Sequence, residues 1–204
     1  MIEFLFSQYK EYSNFLIALE LIAVVFGVIS VLFARKNNIL VYPTGLVSTI
    51  LYVYILFEFQ LYGDLIINFY YTIMSVLGWY LWSKTKDGAE EFPISTINRK
   101  EFLISTLIFT ITLTFVALVY HFFDKFTHWT AYVDALTTGL FFVGMWLMAK
   151  RKIENWILWI IADAISIPLY FYKGLTFSSF QFILFTIIAI LGYKEWKRFL
   201  QKTI

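Results

Sequence analysis

The feature that most constrains this chain is a succession of apolar runs. Each comes close to the ~20 residues a helix needs to cross a hydrocarbon core ~30 Å thick. Seven spans can be drawn, at about 15–33, 39–57, 65–82, 102–122, 131–149, 156–172 and 177–196. Short joints separate them, and the longest polar one is SKTKDGAEEFPISTINRKE, residues 83–101. Charged residues make up 15% of the 204 residues, against about 25% in a soluble domain. No stretch is left over for a soluble domain. The expected fold is therefore an all-α membrane protein with seven transmembrane helices, the whole of 1–204 forming one membrane domain.

Within that frame the joints read simply. Pro43 falls in the first turn of the second span, where proline is tolerated. Asp64 is placed to cap the third span. Asp87-Gly88 and Pro93 mark turns in the long linker, and HFFDKFTHWT, residues 121–130, is a short external loop. The first residues, MIEFLFSQYKEYSN, lack the basic start and apolar middle of a signal peptide. They read as a short amphipathic helix lying at the interface.

The basic residues are strongly one-sided. Thirteen fall on the side of the first, third and fifth joints and the C-terminus: Arg35, Lys36, Lys84, Lys86, Arg99, Lys100, Lys150, Arg151, Lys152, Lys194, Lys197, Arg198 and Lys202. Three, Lys10, Lys125 and Lys173, fall on the other. The positive-inside rule puts the N-terminus outside and the C-terminus in the cytoplasm. An even span count would spoil this segregation.

The chain also repeats itself. Lys36/Lys150, Ile39/Ile153, Phe57/Phe171, Leu61/Leu175, Ile73/Ile187, Gly78/Gly192 and Trp82/Trp196 are identical pairs, each 114 residues apart. Tyr42 maps to Trp156 without a gap. Repeat one (15–82) thus matches repeat two (131–198), with a linker and central helix (83–122) between them. Three spans invert the chain and the fourth restores its direction, so the repeats run in parallel. Parallel repeats occur in some transporters, which hold substrate at the repeat interface near the bilayer midplane. The polar residues do not duplicate: Asp163 maps to Thr49, Trp159 to Gly45 and Asn68 to Phe182. An asymmetric ligand between two similar walls would produce that pattern.

Asp163 is the residue most in need of explanation. It stands near the middle of the sixth span, ENWILWIIADAISIPLYFYKG. A carboxylate at that depth costs on the order of 2.5–3.5 kcal/mol on insertion scales. Trp156, Trp159, Asp163, Ile167 and Tyr170 share one helix face by their spacing. Aromatic planes beside one anion suit a flat cationic ligand. The alternative is a packed face whose Asp bonds to a neighbouring helix. Asn68 is the second polar candidate, since polar side chains in lipid must find partners. Tyr42, Tyr71 and Asn155 are weaker candidates.

Several classes are excluded or disfavoured. There is no Cys, hence no disulfide or thiolate metal site. The two histidines, His121 and His128, do not have metal-ligand spacing. A net charge of +2 leaves no nucleic-acid footprint. No phosphate loop, nucleophile elbow or cofactor motif is present, so neither an enzyme nor a cofactor is expected.

The stretches LYGDLIINFYYTIMSVLGWYLW, DALTTGLFFVGMWLMAKRKIENWILWIIADAISIPLYFYKGL and ILGYKEW resemble the PnuC-type vitamin transporters, the nicotinamide riboside transporter family. The resemblance covers about residues 21–198. It implies a 3+1+3 helix fold similar to the SWEET sugar transporters, homotrimers, and a bacterial inner-membrane location. It also implies uptake by facilitated diffusion, with a cytoplasmic kinase trapping the vitamin inside. Members that take nicotinamide riboside are similar in placing a tryptophan and an amide four residues apart in the sixth span. Here those positions hold Trp159 and Asp163, an acid in place of the amide. Asn68 stands where such members carry a Gln. Related branches carry thiamine, riboflavin or deoxynucleosides. Nicotinamide riboside and thiamine both hold a fixed positive charge in an aromatic ring, and either suits Asp163. Proton coupling through Asp163 or Glu20 is the rival mechanism.

Overall fold

The structure, a computed structural model, describes residues 14–58, 62–86, 89–122, 129–172 and 176–202. The N-terminal segment, the Asp64 side chain, the Asp87-Gly88 turn and residues 123–128 of the external loop lie outside the described residues. So do Lys10, Lys125 and Lys173.

Among the described residues seven helices follow one another: α1 (Asn14–Arg35), α2 (Val41–Glu58), α3 (Tyr62–Ser83), α4 (Arg99–Phe122), α5 (Thr130–Ala149), α6 (Glu154–Tyr172) and α7 (Thr176–Lys202). A two-stranded hairpin, β1 (Thr85–Lys86) and β2 (Ala89–Glu90), follows α3. It is antiparallel, with Thr85 opposite Glu90. Among the described residues, α1 to α6 are long and apolar enough to cross a membrane. The 27-residue α7 runs past its apolar stretch into the charged end GYKEWKRFLQK, six residues beyond the expected close of the span. Pro43 is the third residue of α2, where its missing N–H has no intrahelical partner to lose.

The helices group into two compact units, Met1–Phe92 and Pro93–Ile204. In the first, α1 packs on α2 and α2 on α3. In the second, α4 packs on α5, α5 on α6 and α6 on α7.

The two units share local geometry at the same 114-residue offset. Asn37 and Arg151 each take the left-handed conformation, both at φ 52°. Asn38 N donates to Phe33 O at 3.0 Å and Lys152 N to Leu147 O at 2.9 Å. Asn37 N donates to Ala34 O at 3.0 Å and Arg151 N to Met148 O at 2.9 Å. Both are Schellman caps, which satisfy the last carbonyls of α1 and α5. Asn enters that conformation readily, whereas Arg does so at a cost of roughly 1–2 kcal/mol.

A second motif recurs beside each cap. Tyr42 of α2 meets Trp82 of α3 edge-on, with centroids 5.0 Å apart. Trp156 of α6 meets Trp196 of α7 edge-on at 5.6 Å. All four rings are buried. Each first ring lies flat on a glycine of the next helix, Gly78 under Tyr42 and Gly192 under Trp156. A Cβ at Gly192 would come within 2.7 Å of the Trp156 ring, and one at Gly78 would overlap the Tyr42 ring.

The second half of the linker is not a free loop. Asn98 and Glu101 form a capping box at the start of α4, with both reciprocal bonds at 2.9 Å. Ser95 pairs in parallel with the α5–α6 turn: its N–H donates to Arg151 O, and its carbonyl accepts from Ile153 N. Lys152 Nζ lies 3.0 Å from Glu101 Oε2 and donates to Ser95 Oγ at 3.0 Å. The Glu154 carboxylate accepts from Ile97 N at 3.1 Å. The linker residues are short of apolar side chains, so periodicity carried no signal of this strap.

The glycine contacts set a stability test. Gly→Ala in a helix interior gains up to ~1 kcal/mol of propensity. Overpacking costs ~1–3 kcal/mol, and these buried rings have no room to retreat. Gly78→Ala and Gly192→Ala should each lower the melting temperature of the detergent-solubilised protein. An unchanged or raised value for both would mean the ring contacts are dispensable.

Candidate functional site

The helix α6 is amphipathic in an unusual sense: its buried face is polar. Asn155, Trp156, Ala162, Asp163, Ser166 and Leu169 are buried, while Ile157, Ile161, Phe171 and Tyr172 are exposed on the other side. Trp159, Ile167 and Tyr170 are half-buried at the edges of that face. The shared face read from the spacing therefore exists, with Ser166 as an added member.

Asp163 is 1% exposed, and neither carboxylate oxygen has a hydrogen-bond partner among the described residues. The same holds for Trp159 Nε1 and Ser166 Oγ. Buried polar atoms in native proteins are almost always satisfied, and each one left open costs ~1–3 kcal/mol, more when charged. Three such groups lie over two turns of one helix face, and Asn155 Oδ1 and Trp156 Nε1 near the start of α6 are open as well.

Aromatic rings adjoin this polar line. Phe141 of α5 meets Trp159 edge-on, with centroids 6.2 Å apart. Phe141 also stacks on Phe182 of α7 at 6.2 Å, and Phe182 meets Tyr170 at 4.9 Å. Trp159, Phe141, Phe182 and Tyr170 thus form a continuous chain of rings. It leaves α6 before Asp163 and rejoins it after Ser166. The Trp159 indole is seated on Gly144 of α5, where a Cβ would collide with Nε1 and Cδ1. Planar rings around an anion are the arrangement that holds a flat cation.

The first unit closes the equivalent place. Thr49 occupies the repeat position of Asp163, and Thr72 Oγ1 donates to Thr49 Oγ1 at 3.0 Å. Ser30 and Gly45, which stand for Gly144 and Trp159, are in close contact, and Ser30 Oγ donates to Val41 O at 2.7 Å. In the second unit the counterpart of Thr72, Thr186, donates to Phe182 O at 2.8 Å, the same four-back geometry that Thr72 has with Asn68 O.

The remaining candidates sit elsewhere. Trp156 and Tyr42 belong to the buried ring–glycine pairs. Asn155 donates from Nδ2 to Lys152 O at 2.6 Å, at the first turn of α6. Asn68 and Tyr71 are half-buried on α3 in the first unit. Thr72 donates to Asn68 O at 2.9 Å, and the Tyr71 ring lies 6.0 Å from that of Tyr70. Glu20 is half-buried on α1. A separate apolar cavity of about 270 Å³ between α4, α5 and α6 is lined by Phe102, Phe109, Leu140, Val143 and Leu158 among others, and holds none of the candidates except that Glu154, beside Asn155, borders it. Sequence reasoning missed Phe141, Phe182 and Ser166. The signal for Phe182 was present, since it occupies the repeat position of Asn68.

A family model for nicotinamide mononucleotide transporters matches residues 17–198. The chain belongs to this family. A nicotinamide mononucleotide transporter family member is a multi-pass membrane transporter and not an enzyme. The chain is 26% identical over 205 residues to the nicotinamide riboside transporter PnuC of Escherichia coli (strain K12), covering 87% of this chain and 84% of the relative. It is 24% identical to the riboflavin/roseoflavin transporter RibM of Streptomyces davaonensis, over 60% of this chain and 58% of the relative. A crystal structure of the vitamin B3 transporter PnuC has the same fold, with a TM-score of 0.68 and 23% identity over 98% of this chain and 90% of that one.

A buried acid without a partner makes the empty family member less stable than it could be. Asp163→Leu should therefore raise the melting temperature of the ligand-free protein, by the equivalent of ~1–3 kcal/mol. A lower melting temperature would mean that the carboxylate already has a stabilising partner.

Proposed function

We propose that this protein carries nicotinamide riboside, a precursor of NAD, across the bacterial cytoplasmic membrane by facilitated diffusion. The observation that carries the reading is the unpartnered Asp163 carboxylate on a face flanked by the Trp159–Phe141–Phe182–Tyr170 ring chain. A pyridinium ring satisfies both: its faces stack on aromatic rings, and its charge faces the acid. The names of the relatives support the same substrate. Riboflavin, the substrate in the name of another relative, is neutral and leaves the carboxylate unanswered. Thiamine is the second reading, because it too is a cationic aromatic ring and because Asp163 stands where riboside carriers of the family place an amide. Asn68, Tyr71, Tyr42, Trp156 and Asn155 stay proposed contacts of lower rank than Trp159, Asp163 and Tyr170.

We read the architecture as seven spans in a SWEET-like 3+1+3 arrangement, one membrane domain assembled as a homotrimer. The recurrence of the Schellman cap and the ring–glycine pair at one offset supports the repeat. Direction comes from trapping: a cytoplasmic kinase phosphorylates the substrate, and the anionic product no longer suits an acidic pocket. The membrane potential adds ~2.3 kcal/mol per charge per 100 mV in the inward direction. Thr49 replaces a second acid at the repeat position, and no group of three or more acids, histidines or cysteines is assembled among the described residues, which favours uncoupled transport.

Purified protein in liposomes should equilibrate nicotinamide riboside with no proton or sodium gradient. An inside-negative potential should raise the plateau, and Asp163→Asn should keep the fold but change the preference among cationic vitamins. Concentration above equilibrium driven by a pH gradient at zero potential would replace this mechanism with proton coupling. Failure to take up the riboside while thiamine enters would move the substrate to the second reading.

Orientation is tested separately. With no native cysteine, Thr127→Cys should react with an impermeant maleimide on intact cells, and Gln201→Cys only after permeabilisation. The reverse pattern would invert the proposed topology.

A further inference from the structure

Ser166 follows Asp163 by one turn on the same face of α6, and no part of the residue is exposed. Its hydroxyl has no partner among the described residues. Many other hydroxyls in the spans satisfy themselves, the buried Ser105 Oγ of α4 being an exception. Thr44, Thr106, Thr110, Thr114, Thr138 and Thr186 each donate to the carbonyl four residues back, at 2.6–3.0 Å. Ser179 donates across to Ile167 O at 2.8 Å. The carbonyl of Ala162 is available to Ser166 in the same way, yet the bond is not made. The hydroxyl is held open beside the open carboxylate.

The two groups ask for different things. An ionised carboxylate only accepts, and its natural partner is a cation or a donor. A hydroxyl both donates and accepts, and its natural partner is another hydroxyl. Residues three apart on a helix are neighbours, with Cβ atoms about 5–6 Å from each other. One molecule meeting both must carry a positive ring and, within a few ångströms of it, a hydroxyl on the ring's substituent. A nucleoside cation meets this, as does a thiazolium bearing a hydroxyethyl group, and the free ring does not.

We propose that Ser166 is a specificity-determining residue: its Oγ binds a ribose hydroxyl of the substrate and separates the riboside from sugar-free pyridinium compounds. The inference rests on the transport reading above and assigns the end of the ligand which that reading leaves unassigned. Asp163 and the rings hold the charged base, and Ser166 holds the sugar. A site built around a hydrogen bond rejects an analogue lacking the group, because the buried hydroxyl is then left unanswered again. Simple extra bulk in an apolar pocket would discriminate far less.

The experiment compares two ligands that share the cationic carboxamide ring: nicotinamide riboside and 1-methylnicotinamide. Binding is measured by calorimetry on the full-length purified protein. The parent should prefer the riboside. Ser166→Ala should weaken the riboside about tenfold and leave 1-methylnicotinamide unchanged, so that the preference collapses. Ser166→Cys, close in size and a poor hydrogen-bonding group, should behave likewise. Asp163→Asn should weaken both ligands together. An unchanged preference in both serine variants, with parent-like melting, would overturn the assignment and leave the transport reading standing. Equal losses for the two ligands would also overturn it, by reducing Ser166 to a packing residue. A parent that binds neither ligand would overturn the transport reading for the riboside, and this inference with it.

Discussion

Everything in this protein turns on the absence of water around its polar atoms. A donor or acceptor inside a span must be answered by the protein, because lipid answers nothing. The threonines comply by turning back on their own helices, and the caps of α1 and α5 comply through the paired Schellman bonds. The strap at residues 95–98 complies by pairing with the α5–α6 turn. Against that background the exceptions stand out. Asp163, Ser166 and Trp159 break the rule together on one face of one helix, and Ser105 Oγ, Asn155 Oδ1 and Trp156 Nε1 break it singly elsewhere.

The repeat explains how such a breach can be tolerated. Both units are built around the same cap and the same ring-on-glycine contact, which lie at one end of the helices concerned. The differences are concentrated farther along. Where the first unit has Ser30, Gly45 and Thr49, with Ser30 bonded to Val41 O and Thr49 to Thr72, the second has Gly144, Trp159 and Asp163. The small residue and the large one have changed sides of the helix pair, and a hydroxyl has become an acid. The cap and the ring–glycine contact are common to both units, while the polar bonding at these positions differs.

Much of this was legible in the residues. Apolar run length located all seven helices, because length and hydrophobicity report directly on the lipid environment. The local geometry shared by the two units was legible because Gly78/Gly192 and Trp82/Trp196 perform packing jobs that tolerate little else. Asp163 was legible because an acid at that depth has few innocent explanations. What escaped was of another kind. Phe141 and Phe182 were two among 23 phenylalanines, and no composition argument separates a ring in a chain of contacts from one facing lipid. Ser166 escaped because a span serine normally bonds to its own helix; its failure to do so is a matter of rotamer and not of sequence. The strap escaped because β pairing between positions 57 apart leaves no periodic trace in so short a segment.

That strap has a bearing on how the protein is made. Residues 95–98 leave the ribosome well before the α5–α6 turn to which they bond. At ~5–20 residues per second, a gap of 57 residues is roughly 3–11 s. During that interval α4 can enter the membrane, but its leading end has nothing to hold it. Lys152, Glu154 and the turn around Arg151 arrive later and fix it, so the central helix receives its final anchoring only when the second half of the chain has been synthesised. Insertion of α4 and its locking are separate events, and the order of synthesis keeps this helix adjustable until the polar face of α6 is in place.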